Sequence, residues 1–363
     1  MKFAVLEYTS KTGAVWRHTP ERPNYLSDPQ KELDPTSFGC YVSALEGEHI
    51  PLTFLIKPTI LKRVYKKLTG SWPAYDISYL KQFDTLMIVH QISNGHEITA
   101  LTKRIKKEIP SIKILGVPTQ PYGILKDYWT ENLDWLKDFK GFIKACDIFV
   151  TIVKSTEKDW RALVPDHAQQ VRYIPQPYPV EYAAQFFKPF REKKKIIFVA
   201  GLTNRDNITK GVEVAAQIQK QFPEYVIHIA TLGEPGSEPD VSALQHSVFE
   251  VIRFEPWRQH LEYLTQTSLV VNTDYTQTRG RVQVDCAAIG TPSIGANSDG
   301  QMDLFPALPA SREQSVADLV AQGSRLLQDE VLYASVVDTA RQRLQQYNYQ
   351  RSAERIQQLV SEL

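Results

Sequence analysis

A chain of 363 residues is long for one domain and comfortable for two of about 170 residues each. Its 42% apolar content, with 17 Tyr and 6 Trp, allows sizeable cores and excludes a disordered or low-complexity chain. With a net charge of only +1 and no apolar run near the roughly 18 residues of a membrane span, a soluble cytoplasmic protein is expected.

In chain order, Phe3–Glu7 reads as a short strand, too soon charged for a signal peptide. It opens into a polar loop that carries Gly13. Thr85–His90 is a continuous apolar strand of the kind buried on both faces of a parallel sheet. A helix near Glu97–Glu108, a strand Ile112–Val117, a strand Ile148–Ile152 and a helix opened by Ser155 follow. After Val171–Ile174 comes Pro175-Gln176-Pro177-Tyr178-Pro179, where three prolines in five residues predict a domain linker.

The second half repeats the rhythm. Strands are predicted at Lys195–Ala200, Tyr225–Ala230, Val248–Phe254, Ser268–Asn272 and Pro292–Gly295. Helices are expected around Gly211–Phe222, Arg258–Thr265 and Arg281–Ile289, and from Ser315 onward. Strands separated by helices imply right-handed crossovers and two doubly wound α/β domains. The expected boundaries are 1–175, 176–345 and a final helix 346–363 packing back toward the first domain. Cys40, Cys146 and Cys286 are far apart beside apolar residues and read as buried, reduced thiols.

Open parallel sheets bind ligands at the carboxyl ends of their strands, so the loops after Glu7, His90, Ala200 and Asn272 are the candidates. The loop after Ala200 holds Arg205 and, five residues on, Lys210-Gly211. These offer a planar fork and a mobile point charge for phosphate, or simply solvated surface charge. The stretch Asn272–Pro292 sets polar residues and Gly280 between a buried strand and a helix start that suits an anion. Asp285 lies inside that apolar helix start; a carboxylate there is either satisfied by local donors or grips the hydroxyls of a ribose.

Together these stretches resemble the donor half of retaining GT-B glycosyltransferases of the family 4 type, the group that includes glycogen synthase and sucrose synthase relatives. That group pairs a Gly-Arg loop with a later Lys-Gly, then carries Glu-Gly-Phe-Gly, Glu-Ala and Gly-x-Pro. Here the positions read Arg205 and Lys210-Gly211, then Gln277-Thr278-Arg279-Gly280, Asp285-Cys286 and Gly290-Thr291-Pro292. Gln277 and Asp285 replace two glutamates. The resemblance implies two Rossmann-like domains facing a cleft and sugar transfer from a UDP- or GDP-sugar, with retention and with no metal or other cofactor. It places Arg205, Lys210, Gly13 and Gly280 on the diphosphate, Asp285 on the ribose, and Gln277 with His90 at the catalytic centre. Gln120 stands near where the group often has a histidine, and Gln120 and Tyr122 would face the acceptor. A strand-end histidine such as His90 also has a purely structural reading.

The charge is uneven. Residues 1–200 carry 29 Lys+Arg against 21 Asp+Glu, whereas 201–363 carry 13 against 20. The surplus concentrates in 60–68 and 101–107, read either as core-facing helices with solvated lysines or as a side that favours anions. The second reading implies a lipid-linked, polysaccharide or nucleic-acid acceptor and peripheral contact with a membrane. Tyr122, Tyr128, Trp129 and Trp135 either stack on a ligand or pack in the core. A non-catalytic GT-B binding partner and a sugar-nucleotide epimerase are the alternatives to a transferase.

Overall fold

The computed structural model describes residues 1–8, 15–17, 38–56, 75–200, 205–231, 241–253 and 257–363. Gly13, the basic stretch 60–68 and the loop 201–204 lie outside the described residues. The chain packs as two compact units, Met1–Pro177 with Tyr349–Leu363 and Tyr178–Asn348, and passes from one to the other between Pro177 and Tyr178.

The first unit holds seven strands: β1 (Phe3–Glu7), β2 (Trp16–Arg17), β3 (Glu48–Pro51), β4 (Thr85–His90), β5 (Lys113–Pro118), β6 (Ile148–Thr151) and β7 (Val171–Tyr173). Their order is β2-β3-β1-β4-β5-β6-β7, parallel throughout except where β2 meets β3. Successive side chains point to opposite faces. Ala4, Leu6, Leu86, Ile88, Ile114 and Phe149 accordingly join one core, under helices Gly95–Glu108 and Leu133–Ala145. Phe3, Val5, Met87, Val89, Leu115 and Val150 join another, which the C-terminal helix Tyr349–Ser361 covers with Ala353 and Ile356. Burial of both faces is why these strands read as unbroken apolar runs.

The helix expected to open at Ser155 begins instead at Glu157, after a tight turn over Lys154–Thr156. There Thr156 donates its hydroxyl back to the Val153 carbonyl (2.9 Å).

The second unit holds β8 (Ile196–Ala200), β9 (Val226–Thr231), β10 (Phe249–Arg253), β11 (Leu269–Asn272) and β12 (Ser293–Ile294), all parallel, in the order β10-β9-β8-β11-β12. The chain leaves β8 to build β9 and β10 on one side, then crosses to lay β11 on the other. The β8/β11 boundary is therefore a topological switch point, and β1/β4 is its counterpart in the first unit. Cys40, Cys146 and Cys286 are buried and free. Among the described residues no helix is long and apolar enough to cross a membrane.

Just ahead of β8, the Lys193 ammonium donates to Thr291 Oγ1 (2.8 Å), the Thr265 carbonyl (3.1 Å) and the Ile289 carbonyl (3.2 Å). Three acceptors favour the charged form, while burial lowers its pKa to about 7 from 10.5. A lysine with a lower pKa folded than unfolded is a penalty below pH 7 that fades as pH rises toward 10.5. The denaturant midpoint should therefore rise from about pH 7 to about pH 9 in the wild type, and far less in Lys193→Met. Equal pH slopes in the two proteins would remove Lys193 as the source.

Candidate active site

The loop after β11 is built by consecutive turns. Asn272 Oδ1 accepts from the Asp274 amide (2.9 Å), and Asp274 Oδ1 accepts from the Thr276 amide (2.9 Å) and hydroxyl (2.6 Å). Gln277 then takes a left-handed backbone, φ 57°. For a residue with a side chain this costs roughly 1–2 kcal/mol. Gly280 is left-handed as well, φ 84°, and a Cβ there would stand 2.6 Å from Ser298 Oγ and 2.7 Å from Gly300 Cα. Only glycine fits, and its amide donates to Thr278 Oγ1 (3.3 Å), so Gly280 serves the turn.

Helix Arg281–Ile289 starts there, fixed from beneath by a buried polar network. Ser298 Oγ donates to Gln283 Oε1 (3.1 Å), Gln283 Nε2 to Ser293 Oγ (3.2 Å), and Gln301 Nε2 to the Ser293 carbonyl (2.8 Å).

A cation lies against this loop. Lys210, on helix Arg205–Gln221, donates to the carbonyls of Gln314 (2.5 Å) and Arg312 (3.5 Å), with its ammonium 5.1 Å from the centre of the Tyr275 ring. A Cβ on Gly211 would lie 3.0 Å from Thr273 Oγ1, so this glycine lets the helix approach the loop closely. Arg205 begins the helix, but its side chain lies outside the described residues. Arg279 and Arg281 flank Gly280, both partly buried. A cation on the first residue of a helix opposes the macrodipole, and an anion bound there would offset it. Neither arginine is among the candidates read from the sequence, although Arg-Gly-Arg stands at a predicted helix start. Burial, and then the Arg281 charge, lower the pKa of the neighbouring His260 to about 4.

Asp285 is met by donors distant in sequence rather than local ones. It is 1% exposed, and its Oδ1 accepts from the Tyr178 hydroxyl (2.7 Å) and Trp257 Nε1 (2.9 Å). The two donor rings stand perpendicular, 6.0 Å apart.

In the first unit, the carboxyl ends of β1, β4 and β5 are tied together. Gln91 Nε2 donates to the Tyr8 carbonyl (3.1 Å), and the Thr119 amide donates to the His90 carbonyl (3.0 Å). The His90 imidazole does not face an open site. It is 1% exposed and boxed by Trp135, Phe139 and Phe142 at 4.7–5.6 Å. Burial lowers its pKa to about 3, and its Nε2 has no hydrogen-bond partner among the described residues.

Gln120 accepts a hydrogen bond from Thr119 Oγ1. Tyr122 packs edge-on against Trp129 (5.5 Å) and Trp160 (4.9 Å), so these aromatics belong to the core. Trp135 stacks on Phe139 and meets Tyr128 edge-on. A feature not read from the sequence is Glu7 at the end of β1, whose Oε2 lies 3.1 Å from Nε2 of the buried His49. Among the described residues no group of three or more His, Cys, Asp or Glu side chains could hold a metal ion.

No family model and no curated protein matches the chain in sequence. Solved structures do match in shape. Sucrose-phosphate synthase from Thermosynechococcus elongatus superposes with a TM-score of 0.63 at 14% identity, over 99% of this chain and 98% of that one. The N-terminal domain of Candida albicans trehalose-6-phosphate phosphatase gives 0.58 at 10%, over 87% and 83%. A point mutant of S. aureus TarM, in complex with fondaparinux, alpha-GlcNAc-glycerol and UDP, gives 0.55 at 12%, over 78% of this chain and 57% of TarM. The fold is thus the α/β, two-unit GT-B architecture expected from the sequence.

Relieving the left-handed strain in Gln277→Gly should raise stability by about 0.5–1 kcal/mol once glycine's extra chain entropy is subtracted. Gln277→Ala should not, and equal denaturation midpoints for the two variants would remove the strain. For His90, a pKa lower folded than unfolded means stability present above pH 6.5 and lost as pH falls toward about 3. An acid titration of unfolding should show a shallower loss over that window in His90→Phe. A slope as steep as the wild type's would place the titrating group elsewhere.

Proposed function

We propose that this chain is a glycosyltransferase that moves a sugar from a UDP- or GDP-sugar to an acceptor, with the donor diphosphate at the β8/β11 switch point. The observation that carries this reading is the loop Thr273–Arg281. A left-handed Gln277 leads into arginines on both sides of Gly280 at a helix start, and Lys210 lies over Tyr275 of the same loop. The GT-B fold supports it, and in the TarM complex that fold accompanies UDP.

In this reading Arg279, Arg281, Lys210 and Arg205 hold the diphosphate. Charge that builds on the leaving phosphate as the glycosidic bond breaks meets cations and helix-end amides already in place, which is where preorganised electrostatics lowers a barrier most. Gln277 faces the transferred sugar. Asp285 acts at one remove, by holding helix Arg281–Ile289 against Tyr178 and Trp257. His90 shapes the first unit's strand ends, and the Glu7 carboxylate, oriented by His49, contacts the acceptor hydroxyl. An anionic acceptor suits the charge surplus of residues 1–200. Retention of configuration and independence of added metal follow the resemblance; the anomer formed and activity in EDTA read them directly.

A second reading, a non-catalytic partner that binds nucleotide without transfer, is favoured by the commitment of Asp285 Oδ1 to protein donors. One experiment separates the two. Thermal unfolding is followed with a panel of nucleoside diphosphates and nucleotide sugars, and release of free nucleotide is assayed beside it. A ligand at 100 times its dissociation constant should add about 2.7 kcal/mol. Lys210→Ala and Arg281→Ala should lose most of that shift, and Lys210→Ala should slow turnover on the order of 10²-fold. Glu7→Gln should keep the shift and lose transfer. A shift without turnover moves the partner reading ahead; no shift from any nucleotide removes the donor site.

A further inference from the structure

Helix Leu133–Ala145 carries Leu133, Leu136, Lys137, Lys140, Gly141 and Lys144 at spacings of one to four residues that fall on one helical face. These six residues line a groove of about 390 Å³. Its floor is open because residue 141 has no side chain. A Cβ there would stand 3.2 Å from Nζ of Lys103, which reaches over from helix Gly95–Glu108. Lys137, Lys140 and Lys144 therefore share one concavity, with the Lys103 ammonium close to Gly141 in its floor.

Among the described residues no carboxylate pairs with Lys103, Lys137, Lys140 or Lys144. Two nearby acids are engaged: Asp138 by His96 (2.7 Å) and Asp147 by Lys106 (2.6 Å). Asp134 and Asp138 are the two negative charges on that helix, against the three lysines Lys137, Lys140 and Lys144. At one end of the groove Leu133 is 71% exposed, with Leu136 beside it.

We propose that this groove docks the chain on an anionic lipid surface, the lysines on headgroup phosphates and Leu133 in the acyl boundary. The leucines decide between polyanions. A nucleic-acid backbone gives an exposed leucine nothing to bury against, and the groove has no aromatic side chain on which a base would stack. A bilayer interface takes both, because cations stay with phosphates while apolar side chains enter just beneath them. The inference stands apart from the sugar-transfer reading, since it needs no donor.

The test is flotation of the full chain with vesicles of phosphatidylcholine alone or with about one-third phosphatidylglycerol. Binding is expected only to the anionic vesicles and should weaken with salt. Lys140→Ala/Lys144→Ala should reduce it roughly 30-fold, at about fivefold per lysine. Leu133→Ser should reduce it about tenfold, and high salt should not erase that difference. Unchanged thermal unfolding confirms that the variants are folded. Failure of the wild type to float with anionic vesicles, or flotation of the lysine variant equal to wild type, overturns the proposal. Retention on duplex DNA that the same lysine substitutions abolish, without flotation, also overturns it and assigns the groove to nucleic acid.

Discussion

Every central strand of both sheets is covered on its two faces, and that constraint decides where this molecule can do chemistry. A parallel strand buried from both sides has no polar face to offer, so ligands can meet it only at its end. The first unit shows the consequence within three strands. Leu86, Met87, Ile88 and Val89 of β4 disappear alternately into two cores, and the polar groups begin where the strand stops. There the backbone of one strand end is hydrogen-bonded to the turn after the next, Tyr8 to Gln91 and His90 to Thr119. These bonds tie the ends together in front of a sheet buried on both faces.

The same constraint acts on the second unit with one addition. Helix Arg281–Ile289 is buried along most of its length, so its polar residues must find partners inside the protein. Gln283 finds Ser293 and Ser298; Asp285 finds Tyr178 and Trp257. Removing one donor to a buried carboxylate leaves charge poorly compensated, which costs more than the hydrogen bond itself. These contacts set the helix start to a fixed position, and with it the direction in which the loop Thr273–Gly280 presents Gln277, Arg279 and Arg281.

The fold was legible in the sequence where burial was two-sided. β4, β8 and β11 appear as unbroken apolar runs, and the Gly280 turn is visible as a glycine between a strand and a helix. β3 was not legible, because Glu-His-Ile-Pro has no such run. Its polar groups are satisfied by Arg17, Tyr79 and Glu7, residues distant in sequence. Helices Tyr122–Glu131 and Leu133–Ala145 were obscured by their aromatics, which suit a ligand platform as well as a core until Trp160 and Phe149 are seen to complete the cluster. Asp285 illustrates the limit most clearly. Its partners lie 107 and 28 residues away, so no local spacing could separate a ribose contact from an internal acceptor.

The second unit's loop carries a local cost beside its contacts, in which the Thr278 and Arg279 carbonyls accept from the Asp299 and Gly300 amides (3.2 and 3.0 Å). The left-handed Gln277 costs roughly 1–2 kcal/mol, and an arginine against the helix dipole about 0.3–1 kcal/mol more. Glycine at 277 would relieve the first and an acid or serine at 281 the second. Local rules are broken in natural proteins mainly where function compensates for them. An anion at this helix start reverses the sign of the Arg281 term and gives the fixed direction of Gln277 a use. In the proposed donor site a phosphate-bearing ligand would give the arginines and the strained glutamine that use, with the inward-facing Asp285 tying the helix behind them to Tyr178 and Trp257.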